Sequence, residues 1–416
     1  MSPKRFSFDV LPEIDLNEES TEASPPPGIV FVLAALAALG PFSIDTYLPS
    51  FQDIALSLQA SSIEVQQTLT AYLIPFAVMS LWHGAISDAY GRRRVILVSL
   101  GVFGLASAGC IFATRIEHLW LLRALQGASA GAGVVISRAI VRDLFDGVAA
   151  QRLMSQITMM FAVAPTVAPL LGGYLQVWFG WRSVFVFLVL MTAALFFACW
   201  RLLPETLPVA HRQTLHPGYL AKNYWKVLTS PLFLSACGAL AFNFAGFFIY
   251  IMSAPVFLMR HLEIAETGFL WLFGPAMIGL VCGSWLSGRL AGKISVRQTI
   301  VRGYLVMAAA AALNLAISGT LPPGLPWSVL PILVYTFGMS LAMPSLNLLT
   351  LDPFPAQRGL ASSCQMFLQS CMNGAAAGLL APMLWGTTFT LSSGMASLLL
   401  SGALCAWWHH RRTREP

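Results

Sequence analysis

The sequence predicts an all-α membrane protein whose twelve transmembrane helices form two pseudo-symmetric six-helix bundles, and three observations lead there. Of its 416 residues 57% are hydrophobic and only 10% charged, with a mean hydropathy of +0.71, whereas soluble domains carry roughly 25% charged residues. Apolar runs of the roughly 20 residues that cross a bilayer recur along the chain, near 29–49, 66–86, 95–113, 119–140, 153–177 and 182–203, then near 231–258, 267–290, 299–319, 327–350, 359–386 and 388–408. Lys and Arg collect in alternate connections between those runs, as the positive-inside rule requires of a multi-spanning chain.

Residues 1–27 are polar and acidic, with Asp9, Glu13, Asp15, Glu18, Glu19 and Glu22, and close on Pro25-Pro26-Pro27. They lack the basic start and short apolar core of a secretory signal and are expected to form a disordered cytoplasmic tail. The first bundle should then occupy 28–203 and the second 231–408, joined by a polar cytoplasmic linker over 204–230 that carries Arg212, Lys222 and Lys226, with a short tail at 409–416. With the N-terminus inside, the outward loops hold Arg115, Arg182 and Arg260. The inward ones hold Arg92, Arg93, Arg94, Arg142, Arg152, Arg201, Arg289, Lys293, Arg297 and Arg358 besides the linker and tail cations, which places both termini in the cytoplasm. The basic loop after the second run precedes its counterpart after the eighth by about 200 residues, the relation expected of parallel repeats.

A net charge of +6 does not indicate nucleic acid, because the cations sit in short clusters between apolar runs and not along one polar face; the lipid bilayer is the expected partner. The seven cysteines all fall within apolar stretches, without a C-x-x-C pair or a neighbouring His, and read as small buried hydrophobes with no metal site. No G-x-x-x-x-G-K-[ST] loop occurs, so neither ATP nor any other cofactor is implied. Paired catalytic carboxylates, an H-E-x-x-H motif and a nucleophile–base pair are lacking, so the chain does not read as an enzyme. Ser129 matches G-x-S-x-G, but a nucleophile elbow needs a strand–turn–helix and this Ser lies within a spanning run.

Residues 84–94 place Gly84, Asp88, Gly91, Arg92 and Arg93 in the G-x-x-x-D-x-x-G-R-[KR] spacing. That loop resembles the one that marks the major facilitator superfamily. Leu119, Arg123, Gln126 and Gly127 resemble its fourth-helix motif, and Pro169, Gly172 and Gly173, preceded by Ala168 in place of the usual Gly, resemble the fifth-helix motif of its antiporters. Asp45-Thr46-Tyr47-Leu48-Pro49, Gly180-Trp181-Arg182 and Gly359-Leu360-Ala361-Ser362 are similar to the Bcr/CflA drug-resistance branch. The resemblance covers about residues 28–410 and implies export of cytotoxic small molecules across the bacterial inner membrane, driven by protons. The same architecture would also serve a proton-coupled importer or facilitator of a small nutrient such as a nucleoside or sugar.

Asp45 is the most informative residue, since a carboxylate inside a spanning helix costs roughly 2.5–3.5 kcal/mol and usually persists for function. At 1.5 Å per residue it should lie towards the outer end of the first helix, with Arg123 at similar depth in the fourth. The two are expected to approach, directly or through water, in at least one state and to couple proton movement to transport. Gln126 shares a helix face with Arg123, and the small residues over 127–133 allow close helix approach. Pro165 and Pro169 with Gly172 and Gly173 should bend and thin the fifth helix, which the resemblance makes a hinge that limits leak. It also makes Asp88 a latch towards Ser362 and Ser363 at the start of the eleventh helix. Tyr47, Tyr72, Gln126, Asn243, Phe247, Tyr250, Asn347, Gln365, Met366 and Gln369 offer aromatic, amide and thioether surface for a substrate cavity, a lining suited to ligands of differing shape. A monomer would suffice for alternating access.

Overall fold

The structure is a computed structural model that describes residues 28–413 apart from 146, 213–216, 291–292 and 355–357; the expected N-terminal tail lies outside the described residues. Ten helices among those residues are long and apolar enough to cross a membrane. They are α1 (Ile29–Leu58), α2 (Ser62–Tyr90), α3 (Arg92–Ile111), α4 (Ile116–Leu144), α6 (Arg182–Leu202), α7 (Pro231–Met252), α8 (Glu266–Leu290), α9 (Val296–Thr320), α10 (Leu330–Leu351) and α12 (Thr388–Arg412). Two further helices complete the pattern: α5 (Gly147–Phe179), and α11, which runs Arg358–Ala375 and continues through a π turn at Ala376–Leu380 to Ala381–Met383.

Their starts obey ordinary capping chemistry. Ser61 with Glu64, Ser295 with Gln298 and Thr387 with Thr390 form reciprocal capping boxes on α2, α9 and α12, satisfying amides that have no partner inside the helix. Helix α1 breaks once: its α-helical part ends at Asp45 and a 3-10 turn at Leu48–Ser50 leads into Phe51–Leu58, where Pro49 supplies no amide hydrogen. Two boundaries differ from the hydropathy reading. Helix α1 continues past residue 49 because an amphipathic piece follows the apolar one, and α12 continues through Arg412, so Arg411 and Arg412 belong to a helix and not to a tail. Cys282 faces outwards from α8 and is not buried as the composition suggested; on a lipid-facing surface a small apolar thiol needs no protein cover.

The two halves repeat one packing scheme. Helix pairs α1–α4, α1–α5, α1–α6, α2–α4, α3–α4 and α3–α6 of the first have their counterparts six helices later in α7–α10, α7–α11, α7–α12, α8–α10, α9–α10 and α9–α12. Glycine makes the closest of these contacts possible. A Cβ on Gly127 of α4 would stand 2.0 Å from the Tyr72 carbonyl of α2, and on Gly279 or Gly283 of α8 it would stand 2.2 Å from the carbonyls of Leu333 or Phe337 on α10. Small residues are what let spanning helices approach this closely.

Between the halves, the amides of Gln66 and Gln67 on α2 donate to the carbonyls of Ala377 and Gly378 on α11 at 3.0 and 2.9 Å. On the opposite side Gly173 of α5 rests against the Glu266 carbonyl of α8. Both contacts lie towards the end of the bundle that carries the α1–α2 connection, and the two halves meet there. The connection between halves contains a helix, Pro217–Leu228. Its Tyr224 hydroxyl donates to the Leu81 carbonyl of α2 at 2.7 Å, and its Val227 packs with Phe233, Ala361 and Cys364.

Candidate functional site

Helix α4 carries Arg123 into the core of the N-terminal half, where it is fully buried. Its Nη1 donates to the carbonyl and the hydroxyl of Ser43 at 3.1 and 3.0 Å and to Gln126 Oε1 at 2.8 Å. Ser43 belongs to the last turn before α1 breaks, whose carbonyls lack a full set of helical donors, and the break therefore creates an acceptor for the guanidinium. The cation also lies over two rings, Tyr47 at 4.8 Å and Tyr72 at 4.5 Å, contacts that contribute about 2 kcal/mol each when desolvated. Gln126 passes the network on to Ser107 at 2.7 Å, and the Tyr47 hydroxyl pairs with Thr68 at 3.0 Å. Nε and Nη2 of Arg123 have no hydrogen-bond partner among the described residues.

Asp45 follows Ser43 by two residues and is 5% exposed. It stands within electrostatic reach of Tyr72, yet makes no ion pair or hydrogen bond among the described residues. The structure thus brings Asp45 and Arg123 to one level without joining them. Each is a charge-bearing group with unspent bonding capacity, separated by a short stretch of α1.

The helix-five motif touches both this site and the contact between the halves. Pro165 and Pro169 lie inside α5. A Cβ on Gly172 would stand 2.1 Å from the Thr46 carbonyl, next to Asp45, and one on Gly173 would stand 2.4 Å from the Glu266 carbonyl across the bundle. Adjacent glycines therefore contact the helix that holds the buried acid on one side and the other half of the molecule on the other.

The loop between α2 and α3 is tied into its own half. Arg92 pairs with Asp88, with Asp143 of α4 at 3.1 Å and with Ser87 at 2.6 Å, while its amide donates to Glu205 at 2.8 Å. Glu205 thereby lies at the N-terminus of α3, where a carboxylate opposes the helix dipole. Arg93 donates to the Trp200 carbonyl at 2.6 Å. Gly91 has φ +98°, a conformation that favours glycine, and a Cβ there would also collide with Glu205; Gly84 faces Val135 with ordinary room. Among the described residues, Asp88 and Arg92 find their polar partners in the N-terminal half and in Glu205 at the start of the linker, and neither forms a hydrogen bond or ion pair with Ser362 or Ser363.

The other cavity candidates divide by burial. Asn243, Phe247 and Tyr250 are buried within the C-terminal half. There Asn243 donates to Tyr304 at 2.8 Å and Tyr250 accepts from Asn314 at 2.7 Å. Asn347, Gln365, Met366 and Gln369 on α10 and α11 are half-buried. The Gln365 amide donates to Asn347 and accepts from Thr350 at 2.9 Å, and Gln369 donates to Asn373 at 3.1 Å.

A buried Arg on α4, a glycine pair on α5 and a basic loop after α2, set in repeated six-helix halves, are accompanied by a match of residues 30–378 to the family model of the Major Facilitator Superfamily. The chain belongs to that superfamily. Within it the chain is similar to the Haemophilus influenzae bicyclomycin resistance protein homolog, with 31% identity over 66% of this chain and 68% of that one. It is likewise similar to multidrug resistance protein D of Escherichia coli, with 28% identity over 84% and 88%. Among solved structures, a bacterial homologue of the human lysosomal transporter Spinster, in an inward-facing, unoccupied conformation, superposes with a TM-score of 0.65 at 17% identity. That match covers 92% of this chain and 96% of the other and reports on the superfamily fold.

Against this superfamily frame, hydropathy missed the partners that organise the motifs. Ser43, Ser107, Asp143 and Glu205 carry no signal of their own. Tyr47, Tyr72 and Gln126, candidates for the cavity wall, are instead taken up by Arg123 and its neighbours, because a buried guanidinium needs acceptors and rings around it.

Proposed function

We propose that this transporter exports small lipophilic toxic compounds from the bacterial cytoplasm in exchange for protons, as a monomer working by alternating access, with both termini cytoplasmic. The names of its relatives support the substrate class. One observation carries the coupling: Asp45 and Arg123 lie buried at one level, unpaired, in a bundle whose halves meet at the end that carries the α1–α2 connection.

A protonated Asp45 is a neutral acid and tolerates these surroundings, whereas an ionised one calls for a counter-charge. Loss of the proton therefore draws the carboxylate towards the free Nε and Nη2 of Arg123. That movement strains the Thr46–Gly172 contact, and through Gly173 it loads the contact with Glu266. Proton release inside and substrate uptake from the same side would then favour outward opening, and protonation from outside would reset the transporter. Each proton entering down the field supplies about 2.3 kcal/mol per 100 mV. The half-buried amides of α10 and α11 offer the substrate adaptable polar contacts.

The test is efflux of dyes and antibiotics from energised everted vesicles and survival of expressing cells, wild type beside Asp45→Asn. The proposal expects wild-type protection, abolished by collapse of the proton gradient and absent in Asp45→Asn. Full gradient-driven efflux by Asp45→Asn would sink the assignment of the proton site, and nutrient dependence without protection would reverse the direction of transport.

A further inference from the structure

On the lipid-facing side of the C-terminal half, away from the coupling site, α9 and α12 stand apart over a cavity of about 660 Å³ floored by α7 and α10. Small side chains leave the room: Ala308 on α9, Ala403 and Ala406 on α12, Ala236 and Ala239 on α7. The walls are almost wholly apolar, but the end of the groove is not. Arg297 lines it at the start of α9. At the end of α12, Trp407 lines it with its ring under the Arg411 guanidinium at 4.0 Å, and both Arg297 and Arg411 are exposed. An exposed Trp with Arg at a helix end marks the headgroup level of a bilayer.

Along α9 the groove runs from Val296 to Ala308, about 18 Å at 1.5 Å per residue. That length matches one leaflet, half of a hydrocarbon core of roughly 30 Å. We infer that the groove binds an anionic glycerophospholipid of the leaflet that faces the arginine-rich loops, one acyl chain between α9 and α12 and the phosphate between Arg297 and Arg411. Basic pockets between spanning helices on the cytoplasmic side hold anionic headgroups by this chemistry. Asp352 is within electrostatic reach of this end, but it acts on His409, which is buried and held by Ser235 and the Leu232 carbonyl. The groove also reaches the interior: Tyr304, one of its walls, hydrogen-bonds Asn243 of α7 and the Gly402 carbonyl of α12. A chain seated there braces the α7–α9–α12 packing from the membrane side.

The experiment uses the full-length protein in nanodiscs of equal phosphatidylglycerol and phosphatidylcholine, with the lipids retained after release read by native mass spectrometry. Wild type should retain phosphatidylglycerol preferentially, and Arg297→Gln or Arg411→Gln should each cut that preference about fivefold, the loss expected for one cation near an anionic headgroup. Arg297→Lys should keep it. Ala403→Phe, which fills the groove, should lower retention of both lipids while unchanged circular dichroism reports a folded bundle. Equal retention of the two lipids by wild type, or a preference untouched by the double arginine variant, would overturn the site. Retention that responds to Ala403→Phe but to neither arginine would mean an apolar occupant and would overturn the anionic assignment.

Discussion

The two halves share a packing scheme and divide the chemistry. The N-terminal half buries Asp45, Arg92 and Arg123. In the C-terminal half no Asp, Glu, Lys or Arg among the described residues is buried, and the corresponding space holds neutral networks: Asn243 with Tyr304, Asn314 with Tyr250, Asn347 with Gln365 and Thr350. Charges respond to proton and field, whereas amides and hydroxyls adapt to whatever they bond. The contrast suggests that energy is coupled on one side of the molecule and substrate is recognised on the other, with the glycine pair of α5 joining the two.

The largest effect should come from Arg123. Arg123→Lys keeps the charge but cannot serve Ser43 and Gln126 while lying flat on two rings. Losing one charge-assisted hydrogen bond removes roughly 1.5–3 kcal/mol, so gradient-driven efflux should fall more than tenfold with expression maintained. Comparable activity in both proteins would break the division of labour. Gly173→Val comes next. Its side chain must displace the Glu266 backbone and pry the contact between the halves open. In a background without native cysteines, Met252→Cys, buried at the cavity that Gln66 also lines, should then react with a membrane-impermeant thiol reagent several times faster, and an unchanged rate would detach α5 from the gate.

How much of this was legible follows from what hydropathy measures. It reads depth: the spans and the basic loop after α2 were visible, because length and charge placement fix position along the bilayer normal. It does not read rotation about a helix axis when a helix is apolar on every side, as α1 and α7 are. Tyr47, at the end of the apolar part of α1, was therefore assigned to a cavity although it lies against Arg123. Helix α11 is the counterexample. Its Ser, Gln and Asn residues occupy one stripe, and there the sequence pattern did indicate which positions meet other polar groups. The capture of Arg92 by Asp143 and Glu205 was illegible for a third reason, since it depends on tertiary contacts between three connections that are far apart in sequence.

Smaller and more selective effects belong to the C-terminal networks. Interhelical hydrogen bonds in membranes average about 0.6 kcal/mol, so Gln365→Ala should change apparent affinity about threefold, by different factors for different compounds, in dye-competition assays. Uniform loss across all compounds would move Gln365 from recognition to coupling.

The smallest effect sharpens the reading of the basic loop, because its two glycines meet different surroundings. Gly91 holds a positive φ and faces the Glu205 carboxylate that binds the start of α3. Gly91→Ala forces an L-residue into a positive-φ, extended-ψ conformation that is essentially reserved for glycine, at about 1–3 kcal/mol, and pushes that carboxylate away, which should lower the thermal midpoint in detergent by several degrees. Gly84 is helical and a Cβ there meets only Val135 at 3.8 Å, so Gly84→Ala should leave stability unchanged or slightly raised, as expected where Ala replaces a helical Gly. If Gly84→Ala nonetheless lowered efflux without touching stability, the loop would need that open face in a second conformation, with α2 and α11 pressed together at their inner ends.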